Sequence, residues 1–299
     1  MATSHPAWLL QRWCAAFGAA EGEAFARANN EPAPIAFRVV TSRAKEDPCE
    51  RLRAAGAELV PSRIARGAWR ISGAGRLLGE LAAAGDVYLQ DEASQLVALL
   101  LDVQPGQRVL DLCAAPGSKT TQIADLSGDS AVIVASDLYE HRLRTLLSSA
   151  QLQGLRSIHA VALNGLRPLP LVAGSFDRVL VDAPCSGTGT LRRNPEIRWR
   201  ISPADIQDLA GRQKQLLSNA AIGVKPEGRL IYSTCSVEPE ENEEVVQSFL
   251  ENNRTFRPVA LSLDGGLQTS GGAVRTWPHR EGTDGFFISV LERKDLTSA

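Results

Sequence analysis

Up to about residue 87 the chain mixes apolar and polar residues in short, irregular segments. From Asp91 onward, compact apolar runs alternate with longer amphipathic stretches. The early part predicts two helices, near 6–18 and 21–29, a strand at "IAFRVV", a helix near 47–56 and short strands between 58 and 75. Together these make a small α+β unit. The later part opens on a helix, "EASQLVALLLDV", which leads to the turn pair Pro105-Gly106. Strands are then predicted at "RVLDL", "AVIVASD", "SIHAVALN", "FDRVLVDA", "GRLIYSTC" and "FFISVLER". Helices are predicted at "GSKTTQIADL", "YEHRLRTLLSSAQLQ", "PADIQDLAGRQKQLLSNAAIGV" and "PEENEEVVQSFLEN". Strands alternating with helices of this length imply an α/β unit with a mostly parallel sheet covered on both faces. The expected division is a first unit over 1–87 and a second over 88–299.

The 299 residues suffice for one large core or two units. Hydrophobic residues make up 44% and charged residues 22%, as in ordinary globular chains. No apolar run approaches the ~20 residues needed to cross a bilayer. The start, "MATSHPAWLLQRW", has no basic segment followed by an apolar core, so no signal peptide is expected and a cytoplasmic location is. The cysteines are Cys14, Cys49, Cys113, Cys185 and Cys235, with no C-x-x-C pair, and the histidines stand at no ligand spacing. Neither a disulfide framework nor a metal site is expected. The net charge of −2 does not announce nucleic-acid binding, so local patches must carry that case.

Open α/β sheets bind ligands at the carboxyl ends of their strands, and the residues with chemical potential stand there. "DLCAAPGSKT" (111–120) follows the first strand, with small residues, Gly117 to let the backbone approach a ligand, and a helix start offering free N–H groups. It matches neither the dinucleotide fingerprint nor the P-loop. Asp137 ends the next strand, where an acid commonly accepts bonds from ribose hydroxyls, with a helix cap as the alternative. This pair of features reads as a nucleoside-cofactor site. "LVDAPCSGTG" (180–189) presents Asp182, the stiffening Pro184 and Cys185, and "YSTCSVEPEENEE" (232–244) presents Cys235 beside a helix N-terminus that would favour its thiolate. Two strand ends carrying cysteines place two thiols on one cleft, and local chemistry leaves open which of them attacks. The acids at 238, 240, 241, 243 and 244 read as first-turn helix residues without chemistry. "LRRNPEIRWR" (191–200) offers Arg192, Arg193 and Arg198 to phosphates and Trp199 to a base, or else is a solvated loop.

Taken together, "DLCAAPGSKTTQIA", "DRVLVDAPCSGTGTLRRNPEIRW" and "GRLIYSTCSVEPEENEEVV" resemble motifs I, IV and VI of the Sun (Fmu) family of S-adenosylmethionine-dependent RNA cytosine carbon-5 methyltransferases. "YLQDEAS" and "DGFFISVLER" resemble its entry helix and last strand, and the similarity reaches back into "HPAWLLQRW" and "ANNEPAPIAFRV", so it covers almost the whole chain. It is strongest toward members acting on bacterial small-subunit (16S) ribosomal RNA. The resemblance implies a Rossmann-like class I methyltransferase unit with a mostly parallel seven-stranded sheet, preceded by a small RNA-recognition-like α+β domain.

The resemblance also implies roles. Cys235 would attack cytosine carbon 6, Cys185 would assist release, Asp182 would meet the ring and the cofactor, and Lys119 would order Asp182. S-adenosylmethionine would lie against Cys113, Ala114, Ala115, Pro116, Gly117, Ser118 and Lys119, with its ribose at Asp137 and its adenine by Asn164. Members usually have Asp where Asn164 stands, and Asn194 stands where histidine is common. The nearest members often carry a further N-terminal helical domain, and this chain starts about where that would end. The expected partner is RNA, with no membrane and no metal, and a monomer is expected. Transfer RNA as substrate, or a non-catalytic ribosome-assembly scaffold, are the alternatives; a scaffold would need neither thiol.

Overall fold

Proline at position 6 and glycine at position 18 bracket the first helix, α1 (Ala7–Phe17), and α2 (Ala19–Ala28) starts directly after that glycine. The structure, a computed structural model, describes residues 3–263 and 266–295; the outermost residues of the two expected units, 1–2 and 296–299, lie outside the described residues. There follow β1 (Ile35–Val39), α3 (Pro48–Ala54), β2 (Glu58–Pro61), β3 (Ala68–Ser72), α4 (Gly75–Ala84) and β4 (Val87–Leu89). The four strands form an antiparallel sheet in the order β2-β3-β1-β4. Phe37 from this sheet packs with Leu52 of α3 and Leu78 and Leu81 of α4 in one small core. Helix α4 goes beyond the sequence expectation, because Gly75 and Gly79 weaken its helical pattern. Strand β4 carries the first sheet to Leu89, past the expected division at residue 87.

The second unit begins with α5 (Glu92–Leu101), capped by Asp91, whose carboxylate accepts from Ala93 N–H. All of α5 except Leu99 is buried, as its nearly continuous apolar sequence requires. The chain continues through β5 (Arg108–Asp111), α6 (Ser118–Leu126), β6 (Val132–Asp137), α7 (Glu140–Leu152), β7 (Ile158–Ala162) and β8 (Phe176–Asp182). Next come α8 (Ile197–Arg200), α9 (Pro203–Ala221), β9 (Val224–Thr234), α10 (Glu243–Asn252), β10 (Phe256–Pro258), β11 (Val274–Thr276) and β12 (Phe286–Arg293).

The sheet runs β10-β12-β9-β8-β5-β6-β7, with β11 also paired to β12. Strands β5 to β9 are parallel; β12 runs antiparallel beside β9. The two three-residue strands share the far edge of β12, β11 along its first half and β10 along its last. The sheet therefore holds eight strands in seven positions. Helices α5, α6 and α7 bury one face and α9 with α10 the other. The order reverses at β5, which has β6 on one side and β8 on the other, and that reversal opens a crevice at the strands' carboxyl ends.

The two units are bonded through buried groups. Arg38 of β1 donates to Gln90, Thr121 and Gln153 and faces Asp125; burial lowers its guanidinium to about 10, so it keeps its charge. Thr41 and Ser42 donate to the Asp125 carboxylate. The first two helices are bonded to the larger unit as well. Trp13 and Phe25 pack with Leu191, Val237 and Trp277, and Trp13 Nε1 donates to Glu238 at 3.0 Å.

Candidate active site

A cavity of about 400 Å³ fills the crevice at the reversal point. Cys113 and Ala115 line it from the loop after β5, Asp137 from the end of β6, Asn164 from beyond β7, Asp182 to Cys185 from beyond β8, and Cys235 from beyond β9. Its size and its convergent polar groups suit a small ligand. A larger cavity, about 700 Å³, lies between β2 and residues 278–282. It contains no thiol, and its Arg70 and Glu92 pair with each other, so the chemistry points to the smaller one.

The two thiols expected to share a cleft do so, with Cys185 Sγ and Cys235 Sγ 3.3 Å apart. Burial and the Cys235 sulfur push the Cys185 thiol well up, the bond to Cys235 contributing most. Lys119 Nζ donates to Asp182 Oδ2 at 2.7 Å, and Ser233 Oγ donates to Asp182 Oδ1 at 2.8 Å. Burial works against the Lys119 charge, but Asp182, then Cys235 and Asp111, outweigh it and hold the ammonium protonated. The cation beside Cys235 is thus Lys119. The expected helix N-terminus is displaced: residues 239–241 form a short 3-10 turn and α10 starts only at Glu243.

In the loop after β5, burial pushes the Cys113 thiol far up, with Asp111, Asp182 and Asp137 adding to it. Cys113 stays protonated and is unsuited to attack. Gly117 has φ 111°, and a Cβ there would stand 2.7 Å from Leu146 Cγ of α7. The glycine therefore serves close loop–helix packing. The Asp137 carboxylate accepts from Ala115 N–H and Tyr139 N–H and pairs with Arg142, whose other arm donates to Ala115 C=O at 2.7 Å. Asn164 accepts from Leu166 N–H, and among the described residues no partner takes its NH₂ group.

Asp111 is 1% exposed; Thr120 Oγ1 donates to its Oδ2, and its Oδ1 has no partner. Burial pushes this carboxyl from its usual 3.8 up to about 7. The folded protein then holds the proton after the unfolded chain has released it, so stability is lost as pH rises from about 4 to about 7. In Asp111→Asn, which cannot ionise, the unfolding free energy should gain on that of the unsubstituted chain by up to about 4 kcal/mol across this window and stay level above it. Denaturant titrations at about pH 5, 6 and 8 check this; parallel pH profiles for the two proteins would count against it.

The arginine-rich stretch requires a correction. The Arg192 side chain is 5% exposed and faces Asp284 at 3.5 Å. Arg193 donates to Asp284 at 2.8 Å and to Asp91 at 3.0 Å. Arg198, also 5% exposed, donates to Asn30 Oδ1 at 2.8 Å. These three guanidinium groups bind the protein's own carboxylates and carbonyls; the side chains of Arg192 and Arg198 are buried, whereas Arg193 keeps 34% of its side chain exposed. Trp199 stands furthest out to solvent of the four, at 65% exposure.

Two acids that sequence reasoning passed over sit at the site's base. Glu238 and Glu241 are fully buried. Burial raises the Glu238 carboxyl, while Trp13 and Arg12 bond to it and pull it back. Glu241 accepts from Ser186 N–H at 2.8 Å, Ser186 Oγ at 2.5 Å, Ser236 Oγ at 2.5 Å and Gln213 Nε2 at 3.0 Å. The signal that could have found it is the repeated Cys-Ser pair: each cysteine is followed by a serine, and a buried hydroxyl needs an acceptor. The two cysteine loops also touch directly. Gly189 N–H donates to Cys235 C=O at 2.9 Å, and a Cβ at Gly189 would fall on the Gly285 carbonyl oxygen.

Comparison with known proteins agrees with this architecture. Residues 98–292 match the family model of the 16S rRNA methyltransferase RsmB/F, and residues 5–77 match the ferredoxin-like domain of the same group. A probable ribosomal RNA small subunit methyltransferase B of Bacillus subtilis is 35% identical over 98% of this chain and 67% of its own length. The crystal structure of PH0851 superposes with a TM-score of 0.90 at 34% identity, covering 97% of this chain and 66% of that one. A methyltransferase homolog protein from Pyrococcus horikoshii does so with a TM-score of 0.85 at 29% identity, over 98% and 96%. The chain thus spans about two thirds of the length of the first two.

Proposed function

Because the chain belongs to the 16S rRNA methyltransferase RsmB/F family, we propose that it methylates carbon 5 of a cytosine in small-subunit ribosomal RNA, using S-adenosylmethionine. The observation that carries the chemistry is the pair of thiols, 3.3 Å apart on a cavity that Asp182, bonded from behind by Lys119, also lines. Carbon 5 of cytosine is a poor nucleophile until a thiolate adds at carbon 6 and converts the ring to an enamine. Cys235 is the attacking group in this reading. Asp182, held at both oxygens by Lys119 and Ser233, is the group to meet ring nitrogen 3.

The cavity suits the cofactor in its polar lining: the Asp137 and Asp182 carboxylates face it from two strand ends, beside the small residues of the loop after β5. Cys113 to Lys119, Asp137, Asn164 and Asp182 would hold S-adenosylmethionine, which supplies an electrophilic methyl group when bound. The chain's residues would orient the base toward that methyl group.

The Cys185 thiol has a built-in order of events. Its strongest restraint against ionising is the Cys235 sulfur. Once Cys235 is a thioether that restraint is gone, and Cys185 can lose its proton to solvent and then accept the carbon-5 proton. The electron pair left behind restores the 5,6 double bond and expels the Cys235 thiolate. The target base must be unstacked to reach the thiols, which costs least in a loop or bulge. Trp199 is the exposed aromatic left to stack on RNA, and the unit before about residue 87 is the RNA-recognition-like one in this reading. Purified protein should transfer labelled methyl from S-adenosylmethionine to small-subunit ribosomal RNA, and bisulfite sequencing should read the product as 5-methylcytosine. Label carried on a base that bisulfite still converts would reject carbon 5.

A further inference from the structure

We propose that Glu241 is a positioning residue that sets the spacing of the two cysteines. Its carboxylate is fully buried, and among the described residues it has no cationic partner. Its charge is instead met by four donors from three segments. Ser186, next to Cys185, gives N–H and Oγ–H; Ser236, next to Cys235, gives Oγ–H; Gln213 of α9 gives its amide, which also donates to Pro184 C=O at 2.9 Å. The two serine oxygens lie 3.0 Å from each other. A carboxylate has lone pairs for all these donors and presents no hydrogen. A buried charge without them would be strongly unfavourable.

The fixation extends to the main chain. Tyr232, at the end of β9, donates through its hydroxyl to Glu241 C=O at 2.5 Å. Asn242 donates to Ser236 C=O and accepts from Thr234 Oγ1, so the turn that carries Glu241 is fastened to the Cys235 loop on both sides. Both thiols are thus one residue from a serine held by the same carboxylate, and that shared acceptor is what makes their separation a built distance. The catalytic meaning of the spacing rests on the function proposed above; the spacing itself does not.

The test uses disulfide formation as a ruler. With diamide, the two thiols lose two hydrogens to the diazene, which is reduced to its hydrazine, and one S–S bond forms. Its rate reports Sγ–Sγ approach independently of methyl transfer. In Glu241→Ala, kept folded by circular dichroism, cross-linking of Cys185 to Cys235 should slow at least tenfold and kcat should fall about a hundredfold, with the KM for S-adenosylmethionine unchanged. Glu241→Gln keeps the shape, and its amide can donate to serine oxygens that turn to accept, so it should restore both rates to within a few fold. Should Glu241→Ala not fold, Ser186→Ala removes one of the four donors, the Ser186 hydroxyl, at lower cost and should slow cross-linking in the same direction. A folded Glu241→Ala or Ser186→Ala protein that cross-links at the unsubstituted rate overturns the proposal. The same order of cross-linking rates in a protein without any methyl transfer supports the placement of Glu241 and rejects the function.

Discussion

Cys235→Ala is expected to abolish methyl transfer, by more than about 10,000-fold, while S-adenosylmethionine still binds. Losing a nucleophile removes the step that makes carbon 5 reactive, and no remaining group can substitute for it. Cys185 stands 3.3 Å away, but its thiol is pushed well up by the Cys235 sulfur and by burial, and it bonds toward Cys235. Cofactor binding should persist because the contacts proposed for the cofactor lie in the loop after β5 and at Asp137, away from Cys235 in the sequence. Single-turnover assays with labelled cofactor and equilibrium dialysis separate the two effects. Methyl transfer within about tenfold of the unsubstituted protein would remove Cys235 from the nucleophile's role.

Cys185→Ala should have a different signature, in which chemistry starts and does not finish. Cys235 adds to the base and the methyl is transferred, but the carbon-5 proton has no nearby acceptor, so the 5,6 bond cannot re-form. A covalent protein–RNA adduct should accumulate, visible as a slowly migrating band on a denaturing gel that requires both RNA and cofactor. The double variant Cys185→Ala/Cys235→Ala should show no such band. Turnover without adduct in Cys185→Ala would assign proton removal to another group, with Asp182 the nearest candidate on the cavity.

Much of the site was legible because chemistry-bearing residues follow strand ends, and strand ends show in apolar periodicity. Asp137, Asp182, Cys185 and Cys235 all stand where β6, β8 and β9 end, on one cavity. What periodicity cannot show is which distant residue neutralises a charge. Arg192 and Arg193 look free beside each other in sequence, yet Asp284 and Asp91 meet them from about a hundred residues away on either side. Glu241 looked like an acid at a helix start because its neighbours are acids; its four donors come from segments that only the tertiary fold assembles. The missing helix, α4, has a simpler cause in its two glycines. The displaced start of α10 follows from the buried turn of Glu238 to Asn242, whose polar groups bond to the cysteine loops in place of continuing a helix.

Strand β12 lies between β9 and the β10–β11 edge, and the backbone just before it closes on Gly189 through the Gly285 N–H. Synthesis proceeds from the N-terminus, so β9 and both cysteine loops leave the ribosome before the strand that flanks them. Until residues 285–293 emerge, the apolar edge of β9 is unpaired and open to other chains. A nascent chain halted before Gly285 would therefore carry both thiols without a finished site, and it would be a natural client for chaperones or proteases. The centre of this fold is completed only once residues 285–293 have emerged, so quality control that acts on unpaired strand edges would also screen out proteins with unfinished chemistry.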